Sequence, residues 1–465
     1  MHTENSGYKD GKMLKKKILN FIFFFSSAVV VALVLSAGKE DNRLTLLGKF
    51  FISGFSYLIL YLFLLQFRKE VLEVTRKTLF ILLTILVLII STRLVADISV
   101  PNLTYLIPYA LIPIIVRTFY DARLALFTHL ITILLSAFMV PQAFEMVFIN
   151  FITGMVAIFT LKNVYRKTRL FFTAFVVIIS YLTLYAALHI MEDGTVKNII
   201  WSEMRLFVGN GLLVLLSYPL IFFFEMEFLF LSDTTLLELS DTNQPLLLRL
   251  AAEAPGSFQH SLQVANLAEE AARALGVNVL LARAGALYHD IGKIAGPEYF
   301  IENQVDAASP HDNMLPGESS KAIINHVRNG VTLARNFRLP VQIIDFIRTH
   351  HGTTVAYFFY KRFIDQNPEK TNLEKEFTYP GPKPFTKETV IVMIADAVEA
   401  SSRTLAGYTE EAISELVDKI VFQQEKDGQF SEAPVTFRDI SEIKKVIKRR
   451  LLTIYHLRVA YPERS

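Results

Sequence analysis

The residues able to do chemistry in this 465-residue chain gather in its second half. Seven of the ten histidines follow residue 230, and five of them, His260, His289, His326, His350 and His351, fall within or at the ends of segments with helical apolar spacing. Asp290 directly follows His289, and Asp396 sits inside the apolar run Val390-Ile391-Val392-Met393-Ile394-Ala395. Burying a carboxylate in such a helix is costly unless it is paired or bound to metal. An adjacent His-Asp pair at a helix end lets both side chains lean toward one ion while the carboxylate reaches a second, which suits a two-metal site. The chain has no cysteine, so disulfides, zinc ribbons, thiol nucleophiles and iron-sulfur clusters are excluded. His and carboxylate ligands remain, and these suit iron, manganese and similar divalent ions.

Neighbouring candidates weigh less. Lys293 is read as a ligand for a substrate phosphate, with a helix-end charge as the alternative. His311-Asp312 follows Pro310 in a polar loop with no helix to aim it, and is read as structural. Glu399 and Arg403, four residues apart, read as a helix-surface pair. The Tyr379–Pro384 loop either lines a pocket or forms a rigid turn.

The elements that must position these groups are helical. Ala251–Leu275 ends at Gly276, Val279–Asp290 at Gly292, and the segment opening at Pro340 at Gly352; further helices open at Pro316 and near Thr386. Proline in the first turn and glycine just past the end are the expected punctuation. Before about residue 230 the chain has a different character. Apolar residues make up 52% of the whole, and the mean hydropathy is positive, because one Phe-, Leu- and Ile-rich block follows another there. About eight stretches approach the length of a membrane crossing, near 15–37, 46–66, 78–98, 103–118, 122–141, 142–161, 169–191 and 199–229. The segment after Lys15, Lys16 and Lys17 reads as an anchor rather than a cleaved signal. If the N-terminus is cytoplasmic, the basic loops Arg68–Lys77, Arg117–Arg123 and Lys162–Arg169 all fall inside, and Met191–Lys197 with Glu192 and Asp193 falls outside. Eight crossings return the C-terminal domain to the cytoplasm. Asn150, Asn210 and His129 lie within the spans, too scattered to outline an ion path, and read as packing. The net charge of +3 gives no case for a nucleic acid polymer as partner. The expected architecture is therefore all-α: a polytopic transmembrane bundle over 1–230 and an all-helical cytoplasmic domain over 231–465.

His260, the run His289-Asp290-Ile291-Gly292-Lys293, and Asp396 resemble the HD superfamily of metal-dependent phosphohydrolases, and His326 with His350-His351 resembles its binuclear version. Further strings match more narrowly: Glu253-Ala254-Pro255-Gly256, Tyr299-Phe300-Ile301-Glu302-Asn303-Gln304, His350-His351-Gly352-Thr353-Thr354, Tyr379-Pro380-Gly381-Pro382-Lys383-Pro384 and Ala395-Asp396-Ala397-Val398-Glu399-Ala400. Together they resemble the membrane-bound 7TM-HD family, the PgpH-type cyclic di-AMP phosphodiesterases. The resemblance implies a bacterial inner-membrane enzyme that opens cyclic di-AMP to linear pApA with two divalent ions, iron or manganese. It further implies Asp290 bridging both ions, His260, His289 and Asp396 completing one site, and His326, His350 and His351 completing the other. Asp290 and Lys293 would be the catalytic pair, the bilayer and the cyclic dinucleotide the partners, and a homo-oligomer is compatible. Members of this family carry a large extracytoplasmic domain after the first span, where this sequence has only about Ala37–Leu44, so little or none is expected. Two rivals stand beside this reading, and a third, a dNTP triphosphohydrolase, would leave the membrane half unexplained. An HD-GYP cyclic di-GMP phosphodiesterase would carry Gly-Tyr-Pro after its paired histidines, where this chain has Gly352-Thr353-Thr354. A non-catalytic nucleotide receptor would be expected to have lost a metal residue.

Overall fold

The structure is a computed structural model that describes residues 2–37, 42–98, 100, 102–161, 167–197, 200–304, 309–369 and 371–456. Parts of two connections read from the sequence, Ala37–Leu44 and Lys162–Arg169, lie outside the described residues. No strand occurs among the described residues, only an isolated bridge between Val355 and Thr378, so the molecule is all-α as expected. The chain divides into two compact units, Met1–Thr234 and Thr235–Ser465.

In the first unit, seven helices among the described residues are long and apolar enough to cross a membrane: Lys15–Ser36, Arg43–Phe67, Thr75–Ala96, Ala122–Met139, Ala143–Thr160, Arg169–Glu192 and Trp201–Phe228. Large apolar side chains such as Phe21, Phe55, Phe175 and Phe222 point outward, as on helices that face a membrane. The fourth of the eight apolar stretches is not one continuous helix. Leu103–Leu106 is a 3-10 turn, Ile107 before Pro108 is extended, and the α-helix runs only over Leu111–Phe119. Nine residues rise about 13 Å, less than half of a ~30 Å hydrocarbon layer. The break is sheltered by protein: Leu111, Ile112, Ile114, Ile115 and Val116 are buried. Asn210 Nδ2 donates to the carbonyls of Tyr105 and Ile107, both at 2.8 Å, satisfying backbone that the break leaves open. Asn150 likewise serves packing, accepting from Tyr181 Oη at 2.8 Å, while its carbonyl meets His129 Nε2 at 2.9 Å.

The second unit contains helices α1 (Pro245–Glu253), α2 (Pro255–Leu275), α3 (Val279–Tyr288), α4 (Pro316–Asn336), α5 (Val341–Thr349), α6 (Tyr357–Gln366), α7 (Lys387–Ser402), α8 (Glu410–Lys426) and α9 (Phe437–His456). The stretch read as one helix from Ala251 is two. Pro255 cannot donate an N–H to the preceding turn, so α1 ends and α2 starts there. Gly276 closes α2 in the left-handed conformation with φ 67°. Thr386 and Thr409 cap α7 and α8 by accepting from Thr389 N and Ala412 N. Val390, Ile391, Val392, Ile394 and Ala395 of α7 are fully or almost fully buried, which makes this helix a central strut of the unit.

Candidate active site

Five elements bring the chemistry together. His260 lies in the second turn of α2, and His289 and Asp290 follow α3 where the backbone tightens into a 3-10 turn over Ile291–Ala295 that carries Lys293. His326 comes from α4, His350 and His351 follow α5, and Asp396 and Glu399 come from α7. The tight turn can sit there only because residue 292 has no side chain: a Cβ would lie 1.9 Å from the His326 carbonyl oxygen and 2.5 Å from Gly330 N. A second contact of this kind joins two of the sequence strings. A Cβ on Gly256 would lie 1.8 Å from the Glu302 carbonyl oxygen, and Asn303 Oδ1 accepts from Ser257 N at 3.1 Å.

His260, His289, Asp290 and Asp396 form one buried group, each offering a ligand atom within 4.8 Å of the others. His326, His350 and His351 form a second. Asp290 faces both. Its Oδ2 lies 3.3 Å from His289 Nε2 and 3.6 Å from His260 Nε2, and its Oδ1 lies 3.4 Å from His326 Nε2 and 3.6 Å from His350 Nε2. All seven residues assigned to metal from the sequence therefore lie together.

Hydrogen bonding at the outer nitrogens assigns the tautomers. Nδ1–H of His289 donates to Ala286 O at 2.6 Å, that of His326 to Ile323 O at 2.7 Å, and that of His350 to Ile347 O at 3.0 Å. His260 Nδ1–H donates to Glu399 Oε2. In that tautomer each Nε2 presents a lone pair inward. The nitrogens of His326 and His350 face each other at 3.1 Å, and His260 Nε2 faces Asp396 Oδ1 at 2.9 Å. His289 Nε2 and Asp290 Oδ1 are buried with no hydrogen-bond partner. Lone pairs so placed repel one another unless a cation lies between them, and an outer acceptor on each imidazole is the usual support of a metal-binding histidine. The donor set fits divalent metal ions.

The electrostatics agree. Burial pushes the Asp290 carboxyl up, but Lys293 and His289 outweigh it and hold it well below the usual carboxylate range. Asp396 is likewise pushed up by burial and held well down by His260 and His289. Burial pushes His289 down, yet Asp290 and Asp396 prevail and carry it up to about 10, so this group demands positive charge. In the second group burial dominates: His326 is lowered, His350 is driven well below its ordinary value, and His351 falls to about 3 although Asp396 pulls it the other way. Those three imidazoles are neutral donors.

Lys293 Nζ donates to Asp290 Oδ2 at 2.8 Å and to Glu302 Oε1 at 2.7 Å. Burial would lower its pKa, but the two carboxylates raise it further, so the ammonium keeps its proton. Glu302 is a residue that the sequence reading did not single out; it also accepts from Ser257 Oγ at 2.9 Å. Glu399, which the sequence reading places in a helix-surface pair with Arg403, is a second addition to the site. It is not a surface residue but is 5% exposed and orients His260. His311 lies outside both groups, with Nε2 at 2.9 Å from the Tyr299 carbonyl and its ring against Phe359. Tyr379 packs on His351 with ring centroids 4.2 Å apart and so supports that ring. A cavity of about 540 Å³ opens on His260, Lys293, His350, His351 and Asp396.

The chain combines a polytopic helical unit with a helical unit of paired His/Asp groups, and each unit matches a known family model. Residues 43–232 match the family model described as 7TM receptor with intracellular HD hydrolase, and residues 257–401 match the HD domain. The chain is similar to the cyclic-di-AMP phosphodiesterase PgpH of Bacillus subtilis, with 36% identity over 83% of this chain and 55% of the relative. It is also similar to the protein of that name from Listeria monocytogenes, with 32% identity over 78% of this chain and 51% of the relative. This chain thus spans about half the length of these curated relatives. The crystal structure of the L. monocytogenes phosphodiesterase PgpH HD domain in complex with cyclic-di-AMP is 40% identical, covers 46% of this chain and 100% of that chain, and has a TM-score of 0.45.

Proposed function

We propose that this chain is a membrane-bound, metal-dependent phosphodiesterase that opens cyclic di-AMP to linear pApA in second-messenger turnover. One observation carries the reading: two groups of inward lone pairs meet on the two oxygens of a single buried carboxylate, Asp290, beside a cavity of nucleotide size. The substrate assignment is supported by relatives named cyclic-di-AMP phosphodiesterase whose similarity runs through both units of this chain.

His260, His289, Asp290 and Asp396 would hold one divalent ion, and His326, His350 and His351 with the other Asp290 oxygen a second; iron or manganese suits the donors. Two such ions, when bound, make water a nucleophile near neutral pH and offset charge on the phosphoryl oxygens. The chain's own residues prepare this. Lys293 fixes the Asp290 carboxylate by its 2.8 Å contact, and Glu302 fixes Lys293 in turn. Glu399 sets the ring of His260. Lys293, with its proton held by two carboxylates, acts as a standing positive charge near the attacked phosphate rather than as the acid for the leaving 3′-oxygen. The apolar Met393 and Ala397 bound the space available to the bases, and Tyr379 packs against the ring of His351.

The membrane is the bacterial inner membrane, with the catalytic unit cytoplasmic. The test is the full chain, loaded anaerobically with iron or manganese and assayed against cyclic di-AMP and cyclic di-GMP side by side. Production of pApA with dependence on the added metal is expected. Metal-dependent turnover of the guanine compound alone would overturn the substrate, and no turnover of either would overturn the enzyme reading.

A further inference from the structure

A cyclic dinucleotide carries two phosphates on one ring, and only one is cleaved when the ring opens. The metal-directed groups meet the scissile phosphate. The second, equally charged, enters the same cavity and needs a cation of its own. Lys293 and Arg403 are the fixed positive charges among the cavity-lining residues. Lys293 is committed to Asp290 and Glu302.

Arg403 stands differently. It follows the last residue of α7, its side chain is 38% exposed, and its Nε and Nη2 both donate to Glu399 Oε1, at 3.0 and 2.7 Å. This fork fixes the plane of the guanidinium and leaves Nη1 without a hydrogen bond among the described residues. The other oxygen of Glu399 holds His260, so the guanidinium stands one carboxylate away from a metal-directed imidazole. A planar donor held in place beside a cavity matches a phosphate better than a mobile ammonium does. Its charge is partly offset by Glu399, which favours an anion that binds and leaves with each turnover.

We propose that Arg403 anchors the non-scissile phosphate of the cyclic dinucleotide, and so makes the site prefer substrates with two phosphates over those with one. The proposal rests on the cyclic-dinucleotide reading above. The test compares the metal-loaded full chain with R403A and R403K on cyclic di-AMP and on bis(p-nitrophenyl) phosphate, which carries a single phosphate, and measures inhibition by pApA. In R403A the KM for cyclic di-AMP and the inhibition constant of pApA are expected to rise about tenfold or more, the effect of losing one charged hydrogen bond. Turnover of the one-phosphate ester should stay within about twofold, which also shows that the variant is folded, and R403K should recover part of the loss. An equal fall on both substrates would mean that Arg403 acts only through Glu399 and His260, and an unchanged KM would mean that it anchors nothing; either result overturns the proposal. A wild-type chain that opens cyclic di-GMP but not cyclic di-AMP overturns the adenine assignment instead, and the same R403A comparison on the guanine compound still decides the anchor.

Discussion

Asp290 faces both groups of imidazoles, and its substitution is the most direct probe of the site. Asp290→Ala should abolish turnover and lower bound metal, because one side chain serves both groups. Metal content by mass spectrometry together with a turnover assay reads both effects, and an active variant with full metal would sink the two-metal reading. Glu399 gives a subtler case. Its carboxylate accepts from His260 Nδ1, so Glu399→Gln weakens the hold on the ring without removing a ligand. Metal affinity should fall about 10- to 100-fold, the usual cost of losing such an outer partner. A competition titration with a chelator measures it, and an unchanged affinity would make Glu399 a packing residue.

At the scale of elements, the site depends on how closely the 291–295 turn approaches α4. The close approach at Gly292 lets Asp290 reach His326 and His350 from a different helix. Gly292→Ala forces backbone apart, since its Cβ would meet a carbonyl oxygen and an amide nitrogen rather than a flexible side chain. The expected cost is about 1–3 kcal/mol of stability. Metal binding by the His326, His350 and His351 group should weaken with it. Thermal unfolding in detergent and metal stoichiometry test this, and a variant with unchanged midpoint and metal content would show that the turn tolerates displacement. Pro255 and Gly256 act as a similar device at the start of α2, where Ser257 is tied to the 301–303 turn that carries Glu302.

At the scale of the whole molecule, the count of crossings fixes the side on which chemistry occurs. Six of the long apolar helices fall within residues 43–232, matched by a family described as seven-transmembrane, and the broken Leu103–Phe119 segment would complete the seven. With Lys15–Ser36 that makes eight passages, so both ends should be cytoplasmic. If the broken segment turned back instead, the basic Lys162–Arg169 loop would lie outside, against the charge rule. Reporter fusions at Gly11 and after Ser465 should both report cytoplasm; opposite sides would mean that 103–119 does not cross. Substrate choice is also decided at this scale, by a cavity drawn from several helices and loops. One unpaired polar base edge costs roughly 1–3 kcal/mol, so cyclic di-AMP should exceed cyclic di-GMP in kcat/KM by at least about tenfold. Equal rates would leave the metal chemistry intact and remove the adenine preference.

Local composition and spacing alone were enough to reveal part of this architecture. Apolar blocks separated the membrane half from the helical half, and a buried acid in α7 beside histidines at helix ends marked all seven metal candidates. Burial of a charge is costly wherever the chain goes, which is why Asp396 was visible without partners. Only the tertiary structure decided how those residues meet. His260 and Glu399 are 139 residues apart, so an i,i+4 spacing to Arg403 suggested a surface pair when the carboxylate in fact faces inward. Lys293 was legible as a cation, but its two carboxylate partners converge from a turn nine residues on and from the buried His/Asp group. The fourth apolar stretch had the composition of a span, yet its backbone breaks at Ile107 before Pro108, because Asn210, more than a hundred residues later, satisfies the carbonyls that the break exposes. Hydropathy records what a segment can bury, whereas the partner that lets its backbone depart from a helix is supplied only by the fold.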